Sequence, residues 1–267
     1  MTIRQLPGRQ VERIWGRRDL PRAFPAADTE GDPIGEIWFE DEDEAPLLVK
    51  YLFTSERLSI QVHPGDDAAR ARGYRRGKDE AWYVLDADPG ATIGIGLTGR
   101  VTAEELRAAA LDGSIEDLLD WRPVAAGDVF YSPAGTIHAI GAGLSLIEVQ
   151  QNLDLTYRLY DYGRPRELHL DDAVAVSNPA PFPAAPPPQE AGAGRTMLAG
   201  GGAFALERWR GARSADLPAG SVLVPLAAGG TIDGAPLEPA TVWAARGAVA
   251  LDGEADLLVG IPSEAGA

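Results

Sequence analysis

Short β-branched and aromatic runs, each closed by glycine, proline or a polar turn residue, recur along most of this chain. Gly35-Glu-Ile-Trp-Phe39, Leu47-Leu-Val-Lys-Tyr-Leu-Phe53, Ser59-Ile-Gln-Val62 and Ala81-Trp-Tyr-Val-Leu85 are four of them. Thr92-Ile-Gly-Ile-Gly96, Asp128-Val-Phe-Tyr131 and Leu144-Ser-Leu-Ile-Glu-Val149 continue the series. Runs of this length are too short for packed helices and suit strands. Their even spacing points to a β-sandwich or barrel. Two stretches break the rhythm. Val101 to Trp121 reads as a helical insertion, because Thr102 and Glu105 form a capping-box pattern and Leu106, Ala110, Leu118 and Leu119 can line one buried face. Pro64 to Gly77 is polar and Arg-rich and reads as a short helix or loop.

Six prolines between Pro179 and Pro188 exclude a helix or a central strand there. Residues 179–194 are therefore expected to be an extended linker between a first domain, residues 1–178, and a smaller β domain, residues 195–267. The tail again carries short strand-like runs, such as Phe204-Ala-Leu-Glu-Arg-Trp209 and Leu257-Leu-Val-Gly-Ile261, but no histidine. The expected fold class is all-β with a small helical insertion.

Composition narrows the chemistry. The chain has 267 residues, 45% of them hydrophobic, which is enough for a sizeable core. The absence of cysteine excludes disulfides, iron–sulfur clusters, thiolate metal sites and cysteine nucleophiles. A net charge of −16 argues against non-specific nucleic-acid binding. No run approaches the ~20 apolar residues of a membrane span, and the N-terminus lacks an apolar signal core, so a cytoplasmic location is expected. An anionic ligand would have to meet locally placed Arg or Lys against the protein's own field.

With three histidines in the chain, each can be weighed singly. In Gly127-Asp-Val-Phe-Tyr-Ser-Pro133-Ala-Gly135-Thr-Ile-His138, a glycine opens a strand, a Pro-x-Gly turn reverses it, and a histidine follows. This resembles the second motif of cupins, a superfamily of small jelly-roll β-sandwiches, although Ala142 stands where that motif usually carries Asn. The partner motif would be Gln61-Val-His63 followed by Glu80. Residues i and i+2 of a strand share a face, so Gln61 and His63 can bind one ligand. Gln61, His63, Glu80 and His138 together offer two nitrogens and two oxygens, a set that suits Zn²⁺ or another borderline divalent metal. Taken alone, Gln-x-His with a later Glu is a weak signal, since Gln61 reads equally as a solvated strand residue and Glu80 as a surface charge.

A longer resemblance adds to this pattern. Glu12-Arg-Ile-Trp-Gly16, Ile34-Gly-Glu-Ile-Trp38, Leu58 to Asp67, Gly77-Lys-Asp-Glu-Ala-Trp-Tyr-Val-Leu85, Gly127 to His138, Ile147 to Asn152 and Asp154-Leu-Thr-Tyr-Arg-Leu-Tyr-Asp161 follow in the order found in type I mannose-6-phosphate isomerases. The chain resembles the short bacterial members over roughly residues 10–178. The resemblance implies a cytosolic, zinc-dependent isomerase that interconverts mannose 6-phosphate and fructose 6-phosphate through a cis-enediol. It implies one Zn²⁺ per chain on Gln61, His63, Glu80 and His138. It places the family's active-site residues on Lys78, Asp154 and Arg158; Glu148 and Asn152, on the strand leading to Arg158, are expected to line the cavity and, with Trp15 and Ser59, to contact the substrate.

The residues themselves bear on those roles. Lys78 lies two positions from Glu80, so an extended backbone would turn both to one side. In Tyr157-Arg-Leu, alternation sends Arg158 to the face opposite Tyr157 and Leu159, where a buried guanidinium demands an anion or a carboxylate. Asp154 has the same parity and could orient it. Arg70, Arg72, Arg75 and Arg76 read as a solvated basic face that could also steer a sugar phosphate. Asp41-Glu-Asp-Glu44 reads as a solvated turn, and His169 as structural. The expected partner is a small sugar phosphate, with no nucleic acid or membrane, and the chain is expected to be a monomer or weak homo-oligomer. Alternative readings are a cupin isomerase of another sugar or sugar phosphate, and a non-catalytic, metal-stabilised sugar-binding cupin. The latter would keep the metal ligands but would not need Lys78 and Arg158.

Overall fold

The structure, a computed structural model, describes residues 2–24, 31–41, 45–184 and 186–263. Its first part supplies β1 (Ile3–Gln5), β2 (Gly8–Arg17), β3 (Ile34–Phe39), β4 (Leu47–Thr54), β5 (Ile60–Val62) and β6 (Glu80–Ala87). There follow β7 (Thr92–Leu97), β8 (Leu119–Pro123), β9 (Val129–Ser132), β10 (His138–Ile140), β11 (Leu144–Gln151) and β12 (Tyr157–Tyr160). The tail adds β13 (Gln189–Gly192), β14 (Arg195–Gly200), β15 (Phe204–Arg210) and β16 (Arg213–Pro225). It ends with β17 (Gly230–Ile232), β18 (Ala235–Pro236), β19 (Trp243–Gly253) and β20 (Asp256–Pro262). Four helices interrupt the strands: α1 (Asp66–Arg70), α2 (Ala103–Asp112), α3 (Ile115–Leu118) and α4 (Leu170–Val176). Among the described residues no helix is long and apolar enough to cross a membrane.

The strands form three antiparallel sheets. A six-stranded sheet runs β2-β3-β4-β11-β6-β9, a five-stranded sheet runs β12-β5-β10-β7-β8, and the tail strands build a nine-stranded sheet that β1 joins by pairing with β19. The chain's first strand thus lies beyond the boundary drawn at residue 178.

The six-stranded sheet is the middle layer, which explains why β3, β4 and β11 are buried along their whole length. Strand alternation sorts its two faces. Ile37, Phe39, Val49, Tyr51, Phe53, Ile147 and Val149 point one way and pack on Phe204, Leu206, Val222 and Leu258 of the tail sheet. Leu52, Trp82, Val84, Leu144 and Leu146 point the other way and meet Ile93, Ile95 and Ile140 of the five-stranded sheet. Each large apolar side chain buried this way contributes about 1.5–3 kcal/mol of transfer free energy. Glu36, Lys50, Glu80 and Glu148 share the second face by parity and are buried with it. That face is where the chemistry collects. Helices α2, α3 and α4 cover the outer side of the five-stranded sheet, where Leu106, Ala110 and Ile115 pack on Ile60, Val62, Tyr157 and Leu159.

The capping box at Thr102 and Glu105 is present, with both of its hydrogen bonds. The helical insertion is shorter than expected. Gly113 ends α2 in the left-handed conformation, at φ 87°. After the single turn of α3, Leu119 to Pro123 become a strand paired with β7. Trp121 is therefore a sheet residue, because pairing with an open sheet edge outweighs its local helical context. The Pro-rich segment begins against the sheet rather than free of it. The carbonyls of Pro179 and Ala180 accept from the backbone N–H groups of Val101 and Leu97, Arg122 stacks over Phe182, and β13 already belongs to the tail sheet. The acidic turn lies outside the described residues from position 42 onward, while Asp41 pairs with Arg4. The basic face divides: Arg70 and Arg72 are exposed and paired with Asp66 and Asp172, whereas Arg76 is buried and donates to the Ala45 carbonyl at 2.9 Å.

Candidate active site

Register places the site. On the five-stranded sheet Gln61 of β5 lies directly opposite His138 of β10 on one side and Arg158 of β12 on the other. Directly opposed residues of an antiparallel pair project to the same face. Ile60 and Val62 point outward to the helices, so Ser59, Gln61 and His63 point inward. Across the gap β6 brings Glu80, and Lys78 reaches the same side from the extended residues before it. Gly77 permits this path, because a Cβ there would fall 2.6 Å from the backbone of Gly65 and Asp66. The Lys78 N–H then donates to the Pro64 carbonyl at 3.0 Å, which ties Lys78 to the end of the histidine strand.

His63, Glu80 and His138 converge, and their ligand atoms all lie within 4.8 Å of one another. Glu80 Oε1 is 3.2 Å from His63 Nε2 and 2.9 Å from Lys78 Nζ, and Glu80 Oε2 is 3.5 Å from His138 Nε2. Gln61 Nε2 lies 3.3 Å from His138 Nε2, while Ser59 Oγ donates to Gln61 Oε1 at 3.1 Å. The four residues picked out in the sequence are thus together. His63, Glu80, His138 and Lys78 are buried, while Gln61 and Arg158 are partly exposed and mark the accessible side.

Electrostatics test whether these residues fit a cation. Each imidazole has its Nδ1 at 2.9 Å from a backbone carbonyl, Leu155 for His63 and Thr136 for His138. A carbonyl only accepts, so Nδ1 carries the proton in both rings and Nε2 presents a lone pair. Burial pushes His63 down to about 4 and lowers His138 as well, so neither Nε2 is protonated at neutral pH. Burial opposes charge on Glu80, but with His63 neutral the Lys78 ammonium at 2.9 Å holds its carboxyl well below the usual range. Both Glu80 oxygens are buried and make no hydrogen bond of good geometry among the described residues. The protons that meet these groups come from the Lys78 ammonium, 3.5 Å from His63 Nε2, and the Gln61 amide, 3.3 Å from His138 Nε2; two imidazole nitrogens and a carboxylate converging on one point are the donor set of a divalent cation. The residues fit a metal.

Around this cluster lies a polar row that sequence reading covered only in part. Lys50 Nζ is 3.5 Å from Glu148 Oε1 and sits 4.2 Å over the Trp38 ring. Trp82 Nε1 donates to Glu148 Oε2 at 3.1 Å, and Trp38 Nε1 to Glu36 Oε2 at 3.2 Å. Arg13 pairs with Glu36 at 2.6 Å. Lys50, Glu36 and Arg13 were not singled out as site residues. The available signal was parity: a charged residue on the inward-facing half of an otherwise apolar strand, as in Leu-Leu-Val-Lys-Tyr-Leu-Phe, must be paired or functional.

The other proposed contacts separate. Arg158 points inward as alternation required. Its Nε is buried and makes no hydrogen bond among the described residues, and its basicity is lowered by burial and then by nearby Arg166. His169 clamps the Arg158 backbone: its Nδ1 accepts from the Arg158 N–H at 3.2 Å and its own N–H donates to the Arg158 carbonyl at 2.9 Å. Asp154 is exposed and precedes β12, so strand parity does not carry it to Arg158. Asn152 lies past the end of β11 and donates to the Ala45 carbonyl at 3.0 Å, away from the cluster. Trp15 is a core residue among Leu52, Trp82 and Ile93.

Burial pushes the Glu148 carboxyl up to about 7, with Glu80 adding to the rise and Lys50 opposing it. Without metal, the folded chain therefore keeps a proton that the unfolded chain releases between the ordinary 4.5 and about 7. The contribution of this carboxyl to stability falls as pH rises through that window. In chelator, a Glu148→Gln variant is expected to gain stability relative to the parent between about pH 5 and about pH 8. Thermal melts at both ends measure this; a pH-independent difference would show that Glu148 stays ionised beside Lys50.

No family profile matches the chain. It is 41% identical over 160 residues to mannose-6-phosphate isomerase of Streptococcus mutans, a match covering 55% of this chain and 50% of that protein. It is 40% identical over 161 residues to mannose-6-phosphate isomerase ManA of Bacillus subtilis, covering 55% of this chain and 51% of the relative. The crystal structure of mannose 6-phosphate isomerase from Bacillus subtilis superposes with a TM-score of 0.84, at 27% identity over 97% of this chain and 99% of that one. The chain is similar to mannose-6-phosphate isomerases in sequence over 160 residues and in fold over nearly its whole length. It spans about half the length of the curated mannose-6-phosphate isomerases it matches. A phosphomannose isomerase variant from Salmonella typhimurium, at 15% identity and a TM-score of 0.75, shares the fold. The all-β architecture matches the mannose 6-phosphate isomerase fold over 97% of the chain.

Proposed function

We propose that the protein is a metal-dependent aldose–ketose isomerase acting on mannose 6-phosphate and fructose 6-phosphate through a cis-enediol. The observation that carries this reading is the placement of Lys78 and Arg158, two cations, on the face that holds the His63, Glu80 and His138 cluster. A sugar-binding cupin would need the cluster alone. His63, Glu80 and His138 would hold the ion, with Gln61 as the fourth ligand once its amide turns its oxygen from Ser59 to the cluster, and zinc suits two imidazoles with two oxygen donors. A bound divalent ion supplies Lewis acidity at the sugar carbonyl. Arg158 offers a planar fork with an unsatisfied Nε to an oxyanion, and Arg13 and Arg166 are close enough to act on its basicity. An enediolate oxygen would gain there what the net charge of −16 denies an anion elsewhere. The Lys78 ammonium, held charged by Glu80 and Glu148 against the cost of burial, offsets negative charge developing on the sugar oxygens. We assign proton exchange between C1 and C2 to Lys78 and Glu148, the buried titratable groups beside Glu80 that are not metal ligands.

A coupled assay of fructose 6-phosphate formation from mannose 6-phosphate tests this directly. Turnover should disappear on chelation and return with Zn²⁺. A protein that holds zinc but shows no turnover would be a metal-stabilised sugar-binding module instead.

A further inference from the structure

The nine-stranded tail sheet carries none of the residues in the candidate site, yet one of its turns reaches Tyr131 of β9, the strand that pairs with β6. Alternation puts Lys78 and Glu80 on the inner face of β6 and its approach, and Asp79, between them, on the outer face. The Asp79 carboxylate joins two elements. Tyr131 of β9 donates its hydroxyl to Asp79 Oδ2 at 2.7 Å, and the Ala134 N–H, inside the Pro133–Gly135 turn that leads to His138, donates to Oδ1 at 2.8 Å. The Asp79 backbone is held as well: its N–H donates to Gln151 Oε1 and its carbonyl accepts from the Gln151 N–H, both at 2.9 Å. The Tyr131 ring in turn is held from the tail. Phe204 packs on it at 5.1 Å between centroids, and Gly201 approaches so closely that a Cβ there would fall inside the ring's van der Waals envelope.

The geometry points to Tyr131 and Asp79 as positioning residues through which the tail sheet fixes Glu80 and Lys78 relative to His138. The physical reason is that Glu80 has no in-line hydrogen bond of its own to orient it. Its direction is set by the backbone of β6, and the strongest tethers at that end of β6 are the two charge-assisted bonds to Asp79. A carboxylate that moves by a fraction of an ångström relative to two imidazoles loses the common ligand point, as happens when outer-shell partners of metal ligands are removed. The inference rests on the reading of His63, Glu80 and His138 as a metal site.

The test is the zinc affinity of the full-length chain, measured with Zn²⁺ against a chromogenic chelator, alongside isomerase kinetics. Tyr131→Phe keeps the ring and removes the tether; Asp79→Ala removes both side-chain bonds. Gly201→Ala, in the tail, pushes the Tyr131 ring from its place. Each is expected to weaken zinc binding about tenfold, within the range for outer-shell changes, and to lower kcat more than it raises KM. Asp79→Asn, whose amide can serve both partners, should restore affinity to within about threefold of the parent, since it forgoes charge but keeps both bonds. Near-UV circular dichroism confirms that the variants are folded. Parental zinc affinity and kcat in Tyr131→Phe and Asp79→Ala, with only a lowered Tm, would assign the pair to fold stability and overturn the inference alone. A parent protein that takes up no zinc would overturn the metal reading and this inference together.

Discussion

A His138→Ala variant is expected to lose its metal ion and its turnover together. His138 Nε2 is one of two nitrogen lone pairs aimed at Glu80, and its orientation is locked by the Nδ1–H donated to the Thr136 carbonyl. Alanine removes that ligand and leaves His63 and Glu80 as a two-point site. It also takes away the partner of the Gln61 amide, 3.3 Å from the same nitrogen. The loss of affinity should exceed the ~10–100-fold that follows loss of an outer-shell partner, because a ligand itself is removed. Elemental analysis of the purified variant measures it. Full occupancy would remove His138 from the ligand set, and the Pro-x-Gly turn would then be structural only.

Arg158→Ala should lower kcat by ~10²-fold or more with a smaller change in KM, the scale seen when one electrostatic stabiliser of a transition state is lost. The variant should keep β12, because His169 clamps the backbone of residue 158 through its N–H and carbonyl, which alanine retains. The side chain that disappears is a guanidinium whose Nε is buried and unsatisfied, on the face shared with Gln61 and His138. A rise in KM at unchanged kcat would assign Arg158 to uniform binding of the phosphate. Parental kinetics with metal retained would reject its place in the chemistry.

Each candidate metal ligand was legible within a short motif, and the resemblance joined the motifs into one set. Gln61 and His63 share a strand, Gly127 to His138 is one turn motif, and Lys78 sits two residues from Glu80. Arg158 was legible for the same reason, as a charged residue opposite Tyr157 and Leu159 on a four-residue strand. Asp154 shows the limit of that rule: parity holds only within a strand, and Asp154 lies before β12 begins. Asn152 shows it again, one residue past the end of β11. Trp121 was read as helical from its neighbours but pairs with β7, since sheet edges compete for any chain that passes them.

Strand alternation, turn chemistry and the absence of cysteine were enough to indicate an all-β chain and to bring forward His63, Glu80 and His138 as candidate metal ligands, because each depends on residues a few positions apart. Tertiary structure decided which face of each strand became the site. The middle sheet is buried on both sides, so Leu47–Thr54 and Leu144–Gln151 carry large apolar residues on both faces; Lys50 and Glu148 mark one face as unusual, but nothing local says what that face packs against. Only the stacking of three sheets decides that. The same stacking brings Phe204 and Gly201 to Tyr131, a contact set by long-range packing to which no local pattern of side chains could point.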